Sequence, residues 1–346
     1  MKPVHLTARL TDVLADGPVD LHAHLLPEAG LSLPTARGIV AVETAPHRLR
    51  LGDVEVALSV ASICDPELLI ADMDERGLAV RAVSPPPFAF AVDARGQEAA
   101  DYAHAINEQL SEMCVASGGR LVGLGVVPLN EPALAVRELD RLASLPGIAG
   151  LAVPPLLHDR SLDCDPLRAC LAGAAARDLS VLVHPMQLPR PELARHYLSN
   201  LVGNPVETAV GVASLLLGGV LEEAPELRVC FVHGGGCTPA LLGRWDHGWR
   251  ARGDVRLQSS EVPSASVHRL FFDTLTHGVH ELRHVARRFD PESLVLGSDY
   301  PFDMGEQDPV GFAELAELDV EQLARNARRF LGVPAPVQAP LAERGR

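Results

Sequence analysis

Eight short apolar runs separated by helical stretches constrain the fold of this chain more than any other feature. They predict strands at residues 19–24, 78–84, 121–128, 148–153, 180–184, 229–233, 270–274 and 294–299. Continuous apolar runs are typical of parallel strands that are covered on both faces. Strands that alternate with helices indicate right-handed βαβ units, and eight such units predict a (β/α)₈ barrel.

The segments between these strands predict the helices and the extent of the domain. Helices are expected at residues 65–77, 96–117, 131–144, 165–178, 191–223, 239–252, 279–289 and 319–330. Residues 28–62 contain many Pro and Gly residues with alternating apolar positions, which predicts a small β-rich insertion after the first strand. Residues 333–346 are rich in Pro and are expected to form a C-terminal tail. A single barrel domain spanning residues 1–346 is a length that α/β barrels often reach.

Net charge and cysteine usage narrow the class of partner and the compartment. The formal net charge of −15 argues against nucleic acid or an anionic membrane surface as the main partner. No apolar run is long enough to span a bilayer, and residues 1–5 lack an apolar signal segment. The six cysteines form no CxxC pair. Reduced thiols in a cytoplasmic protein are therefore expected.

Polar residues end several of the predicted strands. His22 and His24 alternate along the first strand and so point to the same side. His184, His233 and Asp299 follow the fifth, sixth and eighth strands. Because active sites of such barrels lie at the carboxyl ends of the strands, these side chains are expected to converge.

A group of three imidazoles and one carboxylate suits Zn²⁺ or another first-row divalent ion such as Mn²⁺. We assign His22, His24, His184 and Asp299 as metal ligands, with Asp299 also part of the catalytic group. His233 is left as a general acid–base, a role for which an imidazole is suited near neutral pH. No organic cofactor is expected.

Three further features carry weaker predictions. His277 follows the seventh strand and is a candidate for the rim of the site. Cys237 has no obvious base other than His233, which argues against a nucleophilic role. Arg244 falls on the helix that starts near Pro239, where it could hold a carboxylate. From the pattern alone, a surface arginine is the better interpretation of Arg244.

These residues resemble the amidohydrolase-related decarboxylases over about residues 18 to 333. The motifs that carry the resemblance are HxHxxP from His22, HP at His184, HGGGxxPxxxGRxxH from His233 and GSDYPFxxGEQ from Gly297. The resemblance implies a (β/α)₈ barrel with one Zn²⁺, the same four ligands, His233 as the catalytic histidine, and a decarboxylation that is non-oxidative and needs no organic cofactor.

The resemblance also implies how substrate is held. Arg244 matches an arginine that reaches the neighbouring subunit's site and binds a substrate carboxylate, which implies a homodimer. Phe302 matches a pocket aromatic. Met186 stands where the family often has an aromatic after the HP pair. In the family a second arginine, from the insertion, also binds a substrate carboxylate. The corresponding position in this chain is Ala57.

Arg48 and Arg50 are candidates to replace the missing arginine if the register of the insertion differs.

Three functions are compatible with these residues. The leading one is a zinc-dependent decarboxylase acting on a carboxylated muconate semialdehyde or on a hydroxy- or amino-substituted aromatic acid. The second is a metal-dependent hydrolase or hydratase of a small carboxylated lactone or ring-cleavage product, in which His233 deprotonates a water. The third is a barrel that has lost catalysis and binds a partner or a ligand. The same five polar residues serve both reactions, so the ligand set does not separate them.

Overall fold

Eight parallel strands form one sheet in the order of the chain. The computed structural model describes residues 14–31, 41–45, 48–51, 54–187 and 190–333. The strands, β1 to β8, are Val19–His24, Val80–Ser84, Leu121–Gly125, Ile148–Val153, Ser180–Val183, Val229–Phe231, Phe271–Asp273 and Leu294–Val295. Backbone hydrogen bonds from Leu21 N to Leu296 O (2.9 Å) and from His24 N to Tyr300 O (2.7 Å) join the last segment to β1. The predicted (β/α)₈ barrel is confirmed, and each predicted strand overlaps an observed one.

Helices connect and surround the strands. Helices α1 to α12 are Val60–Cys64, Pro66–Glu75, Gly96–Ala116, Pro132–Leu142, Leu167–Ala175, Asn204–Leu217, Val220–Glu223, Thr238–Ala251, Pro263–Ser266, Val279–Arg288, Pro309–Leu315 and Val320–Phe330. Short 3₁₀ turns lie at Glu28–Leu31, Pro87–Ala89, Pro191–Leu193, His233–Gly235, Val267–Arg269 and Pro291–Ser293, and one π-helical turn lies at Ser199–Gly203. Asp65 begins α2 by accepting a hydrogen bond from Glu67 N at 2.8 Å, as Asp-Pro-Glu predicts.

The helical region predicted over residues 191–223 is divided into several segments. The chain there forms a 3₁₀ turn, a π-helical turn and the helices α6 and α7. His196 and Tyr197 have φ values of 57° and 56°, which no right-handed helix accommodates. Gly219 has φ 71° and separates α6 from α7. The stretch before it is helical, with Gly218 as the C-cap of α6.

The insertion after β1 contains a three-stranded antiparallel sheet of Ala41–Ala45, Arg48–Leu51 and Val54–Val56. Its expected β character is therefore present. Residues 32–40, 46–47 and 52–53 lie outside the described residues, as does nearly all of the predicted tail. The boundaries of the insertion and the single-domain assignment stay predictions.

Strand β1 shows how the sequence pattern places the site. All six of its residues are buried. Val19 and Leu21 pack in one apolar cluster with Ala327 and Phe330 of α12. The alternate positions, which include His22, therefore point into the barrel. The strand thus buries an apolar face on a helix and presents its histidines to the interior.

Candidate metal centre

The four predicted ligands come together at the carboxyl ends of the strands. His22 and His24 lie on β1, His184 directly follows β5, and Asp299 follows β8. One potential ligand atom from each lies within 4.8 Å of the others, and all four residues are buried. The sequence prediction of a shared site for these residues is confirmed.

Hydrogen bonds orient two of the imidazoles for metal binding. His22 Nδ1 donates to Asp273 Oδ2 at 2.7 Å, and His184 Nδ1 donates to the carbonyl oxygen of Pro185 at 2.7 Å. Their Nε2 atoms are buried and lack a hydrogen-bond partner, although His22 Nε2 lies 3.3 Å from Asp299 Oδ1. Buried polar atoms are rarely left unsatisfied in proteins. The donor set and these two nitrogens therefore fit a divalent ion.

Asp273 is a site residue that the sequence analysis missed. Besides its bond to His22, its Oδ1 accepts hydrogen bonds from Gly234 N at 2.8 Å and from Leu275 N at 3.1 Å. One carboxylate thus fixes a ligand ring and the turn that carries His233. The signal that could have found it is an acidic residue at the end of an apolar strand, the same signal that identified Asp299.

We expect Asp273→Asn to weaken metal binding by about 10- to 100-fold, because carboxylate partners orient ligating histidines and raise their basicity. Competition with a chromophoric chelator measures the affinity. Asp290→Asn, which removes an exposed acid that caps a 3₁₀ turn, is the control and should leave metal affinity unchanged. Equal affinities for Asp273→Asn and the parent protein would remove Asp273 from the site.

A second network lies below the ligands and holds β1 to β8. Asp20 accepts hydrogen bonds from His22 N at 3.0 Å and from Ser298 N at 3.1 Å. Its other oxygen accepts from Arg81 Nε at 2.8 Å, and both of these side chains are fully buried. Since Ser298 precedes Asp299, the Asp20 carboxylate positions two metal ligands from beneath. Sequence analysis also missed Asp20, although an acidic residue within an apolar strand is a recognisable signal.

The charges of the ligand residues polarise the site. Burial by itself disfavours the charged form of His22, but Asp299 and Asp273 outweigh burial and raise its pKa to about 10. Burial also opposes ionisation of Asp299, yet the adjacent His22 keeps the pKa of this carboxyl well below its usual value. Burial lowers the pKa of both His24 and His184. At neutral pH the four ligands themselves therefore comprise one imidazolium, on His22, and one carboxylate, on Asp299.

We expect metal binding to release one proton per ion. His22 holds a proton until its folded pKa of about 10 is passed, and a metal at Nε2 must displace it. Metal affinity should therefore rise by about tenfold per pH unit between about pH 6 and pH 8. Calorimetry in two buffers of different ionisation enthalpy counts the proton. A heat that is independent of the buffer would contradict this charge assignment.

His233 lies beside the ligand group without belonging to it. Its Nε2 is 3.7 Å from Asp299 Oδ2, and its ring centroid is 5.2 Å from the rings of both His22 and His184. The following glycines permit the turn: Gly236 has φ 59°, and a Cβ there would lie 2.3 Å from the carbonyl oxygen of Pro205. The HGGG motif therefore aims one imidazole at the metal centre.

Two connected cavities meet at this centre. The aromatic lobe, of about 240 Å³, has walls of Phe88, Met186, Tyr197, Phe302 and Met304. The histidine lobe, of about 440 Å³, is lined by His277, His280, Glu281 and His284 among others. His233, Asp299, Asn200, Asn204 and Met304 border both lobes. The metal centre thus lies at the junction of an apolar compartment and a polar one.

The predicted substrate residues divide between the cavity and the surface. Met186 and Phe302 line the aromatic lobe, and the Phe302 ring centroid is 5.3 Å from that of His24. Arg244 lies exposed on α8 and lines neither lobe. Ala57 is exposed and precedes Leu58, which belongs to the apolar cluster against which Phe302 packs. The missing arginine would therefore have stood near the aromatic lobe.

The remaining candidates also have defined positions. Arg48 is exposed, and the side chain of Arg50 lies outside the described residues. His277 lines the histidine lobe, so it does reach the rim of the site. Burial raises the pKa of the Cys237 thiol, which disfavours the reactive thiolate. Among the described residues, no helix combines the length and apolar character needed to cross a bilayer.

A barrel with three histidines and one aspartate at its carboxyl rim defines a metal-binding (β/α)₈ protein of the hydrolase and lyase type. Comparison with protein families matches residues 19–333 to the amidohydrolase family. The chain belongs to that family.

Characterised relatives refine this assignment. The chain is 28% identical over 328 residues to 2-amino-3-carboxymuconate-6-semialdehyde decarboxylase of Dictyostelium discoideum. The alignment covers 91% of each chain. It is 25% identical to gamma-resorcylate decarboxylase of a Rhizobium species over 68% of this chain and 77% of the relative. The resemblance inferred from the motifs is confirmed, as is the prediction of an enzyme of the decarboxylase type.

A solved structure shares the fold. Dihydroxybenzoic acid decarboxylase of a Polaromonas species, crystallised with manganese and 2-nitroresorcinol, superposes with a TM-score of 0.74 at 20% identity. The alignment covers 92% of this chain and 97% of that one. At this identity the likeness establishes the architecture.

Proposed function

We propose that this protein catalyses the metal-dependent, non-oxidative decarboxylation of a carboxylated muconate semialdehyde or of a hydroxy- or amino-substituted aromatic acid. The observation that carries the proposal is the position of His233, which borders both lobes beside the four-ligand group. Related decarboxylases from the same family support it.

The residues of the chain have separate tasks in this reaction. A divalent ion held by the ligand group would supply a Lewis acid that draws electrons from a substrate oxygen. His233 holds a proton at Nε2 and delivers it to the carbon that loses CO₂. The apolar walls of the aromatic lobe orient a flat acid and exclude water from its carboxylate. Release of neutral CO₂, which leaves the electron pair on carbon, is favoured where water does not solvate the carboxylate.

Zinc is the proposed metal. Three imidazole nitrogens and one carboxylate oxygen are its usual ligands, and manganese accepts the same set. Manganese is the alternative, because the dihydroxybenzoic acid decarboxylase of the Polaromonas species was crystallised with that ion. Elemental analysis of protein purified without added metal, followed by activity after reloading with either ion, decides between them.

Mass spectrometry of reaction mixtures tests the proposed reaction. Metal-loaded protein is incubated with aminocarboxymuconate semialdehyde, hydroxybenzoates, aminobenzoates and several lactones. Loss of CO₂ from an acid is expected, and the acid that responds names the substrate class. Addition of water to a lactone without CO₂ release from any acid would replace decarboxylation with hydrolysis.

We also propose a homodimer in which Arg244 enters the partner subunit's site. Arg244 is exposed on the helix whose residue Ala240, one turn earlier, lines the histidine lobe. Tyr197, Leu201 and Val202 are between 42% and 52% exposed beside the cavities. Exposed apolar side chains that cluster are typical of protein interfaces.

Mixing two inactive variants tests the shared site. Arg244→Ala supplies intact His233, and His233→Asn supplies intact Arg244. After subunit exchange, each mixed dimer has one complete site, so an equal mixture should regain about a quarter of the parent activity. If Arg244 acts within its own subunit, or only on the surface, the mixture regains nothing beyond the separate variants.

The compartment proposed for the enzyme is the cytoplasm. All six cysteines are free, and reduced thiols are the usual state there.

The proposed substrate of the enzyme is a small-molecule carboxylate.

A further inference from the structure

The histidine lobe is the larger of the two cavities and carries polar side chains that the proposed reaction does not use. His280 and His284 lie one turn apart on α10, so both face the lobe. His277 enters from the segment after β7 with φ 60°, a left-handed conformation that is uncommon for a residue other than glycine. Backbone strain of this kind is concentrated at functional sites.

The chemistry of the lobe favours an oxygen-rich group as its ligand. Within the described part of the chain, no lysine or arginine lines either lobe. The three imidazoles are therefore the strongest hydrogen-bond donors that a single subunit supplies to the lobe. Glu281 also borders the lobe, but its carboxylate is folded onto Gly278 at the start of α10, where an added Cβ would meet Oε2 at 2.0 Å.

Among the described residues, His277, His280 and His284 do not form a second metal centre in their observed arrangement. Over the residues that the structure describes, histidine, cysteine and carboxylate ligand atoms converge only in the group of His22, His24, His184 and Asp299. At the boundary of the lobe, Asn204 is 6% exposed and its Oδ1 has no hydrogen-bond partner. This buried amide oxygen at the junction of the two lobes would accept a hydrogen bond from a donor group of a bound substrate.

The two lobes also differ in a way that matches a two-part substrate. The aromatic lobe has the flat apolar walls that a ring or diene requires. The histidine lobe borders the same His233 and Asp299. A substrate that reacts at the junction therefore has room to extend a substituent into the histidine lobe.

We propose that His277, His280 and His284 form a subsite that binds a second carboxylate of the substrate. This inference rests on the proposed function and narrows its substrate class to dicarboxylic acids, with one carboxylate lost and the other held. The subsite replaces the insertion arginine that is absent at Ala57 by imidazole donors on the opposite side of the metal centre.

Unreactive benzene carboxylates test the subsite without requiring turnover. Calorimetry with manganese-loaded protein compares benzoate with the 1,2-, 1,3- and 1,4-benzenedicarboxylates, which place a second carboxylate at three distances. At least one dicarboxylate should bind about tenfold or more tightly than benzoate, as hydrogen bonds to a charged group allow. In His280→Gln/His284→Gln this preference should disappear while benzoate affinity stays unchanged.

His268→Gln is the matched control, since His268 is exposed in a turn away from both lobes. It should retain the preference. Equal binding of benzoate and all three dicarboxylates by the parent protein would overturn the subsite, as would a preference that survives the double substitution. A second bound manganese that the double variant loses would assign the lobe to a metal instead.

These outcomes are distinct from failure of the proposed reaction. A dicarboxylate preference without CO₂ release from any acid would keep the subsite and reject decarboxylation. CO₂ release from monocarboxylic acids, with no preference for dicarboxylates in the binding experiment, would keep decarboxylation and reject the subsite.

Discussion

His233→Asn should lower kcat for CO₂ release by about 10²- to 10⁴-fold, the range over which a positioned general acid–base contributes. Asparagine keeps a polar side chain and tolerates the left-handed backbone of this position, where φ is 57°. It cannot hold and deliver a proton as an imidazole does. Because His233 lies outside the ligand group, metal content should not change.

Steady-state kinetics and elemental analysis of the same preparations check this result. His268→Asn serves as the control and should behave as the parent protein does. Full activity in His233→Asn would refute the assigned role. Loss of metal together with activity would instead make His233 a fifth ligand.

Asp299→Asn should have the second large effect, through loss of the metal. Asp299 is the only carboxylate in the ligand group, and its Oδ1 lies 3.0 Å from His24 Nε2. The neutral amide binds a divalent ion poorly, and it removes the negative charge that lies 3.3 Å from Nε2 of the buried His22. The lost Lewis acidity, several kcal/mol, corresponds to a rate decrease of about 10³-fold or more.

Metal titration and activity are measured together for this variant. Asp303→Asn is a demanding control, because Asp303 lines the aromatic lobe but is exposed and is not a ligand. It should retain metal. If Asp299→Asn binds metal as tightly as the parent protein, the ligand set is wrong.

Much of the fold followed from local sequence. Strands such as Ile148–Val153 are apolar throughout and buried on both faces, so their pattern does not depend on distant residues. The last strand was predicted to reach Asp299, but only Leu294 and Val295 pair regularly. Asp299 is left-handed, with φ 57°, and this conformation interrupts the ladder while turning the carboxylate toward the metal centre.

The ligands were predictable because each ends its own strand, whereas their supports depend on contacts across the barrel. His22 and Asp273 are 251 residues apart in sequence, and no local pattern pairs them. The same holds for Asp20, whose partner Arg81 lies on β2 and whose partner Ser298 follows β8. The sequence also could not show which of the remaining histidines converge, since that depends on the position of α10 and its preceding loop.

The most direct test of the account is the fate of the carboxylate and of the replacing proton in one reaction. A substrate labelled with ¹³C at the carboxyl group is incubated with metal-loaded protein in D₂O. The account predicts labelled CO₂ and one deuterium on the carbon that carried the carboxylate, with both signals depressed in His233→Asn. Product that retains the label and gains water would contradict it.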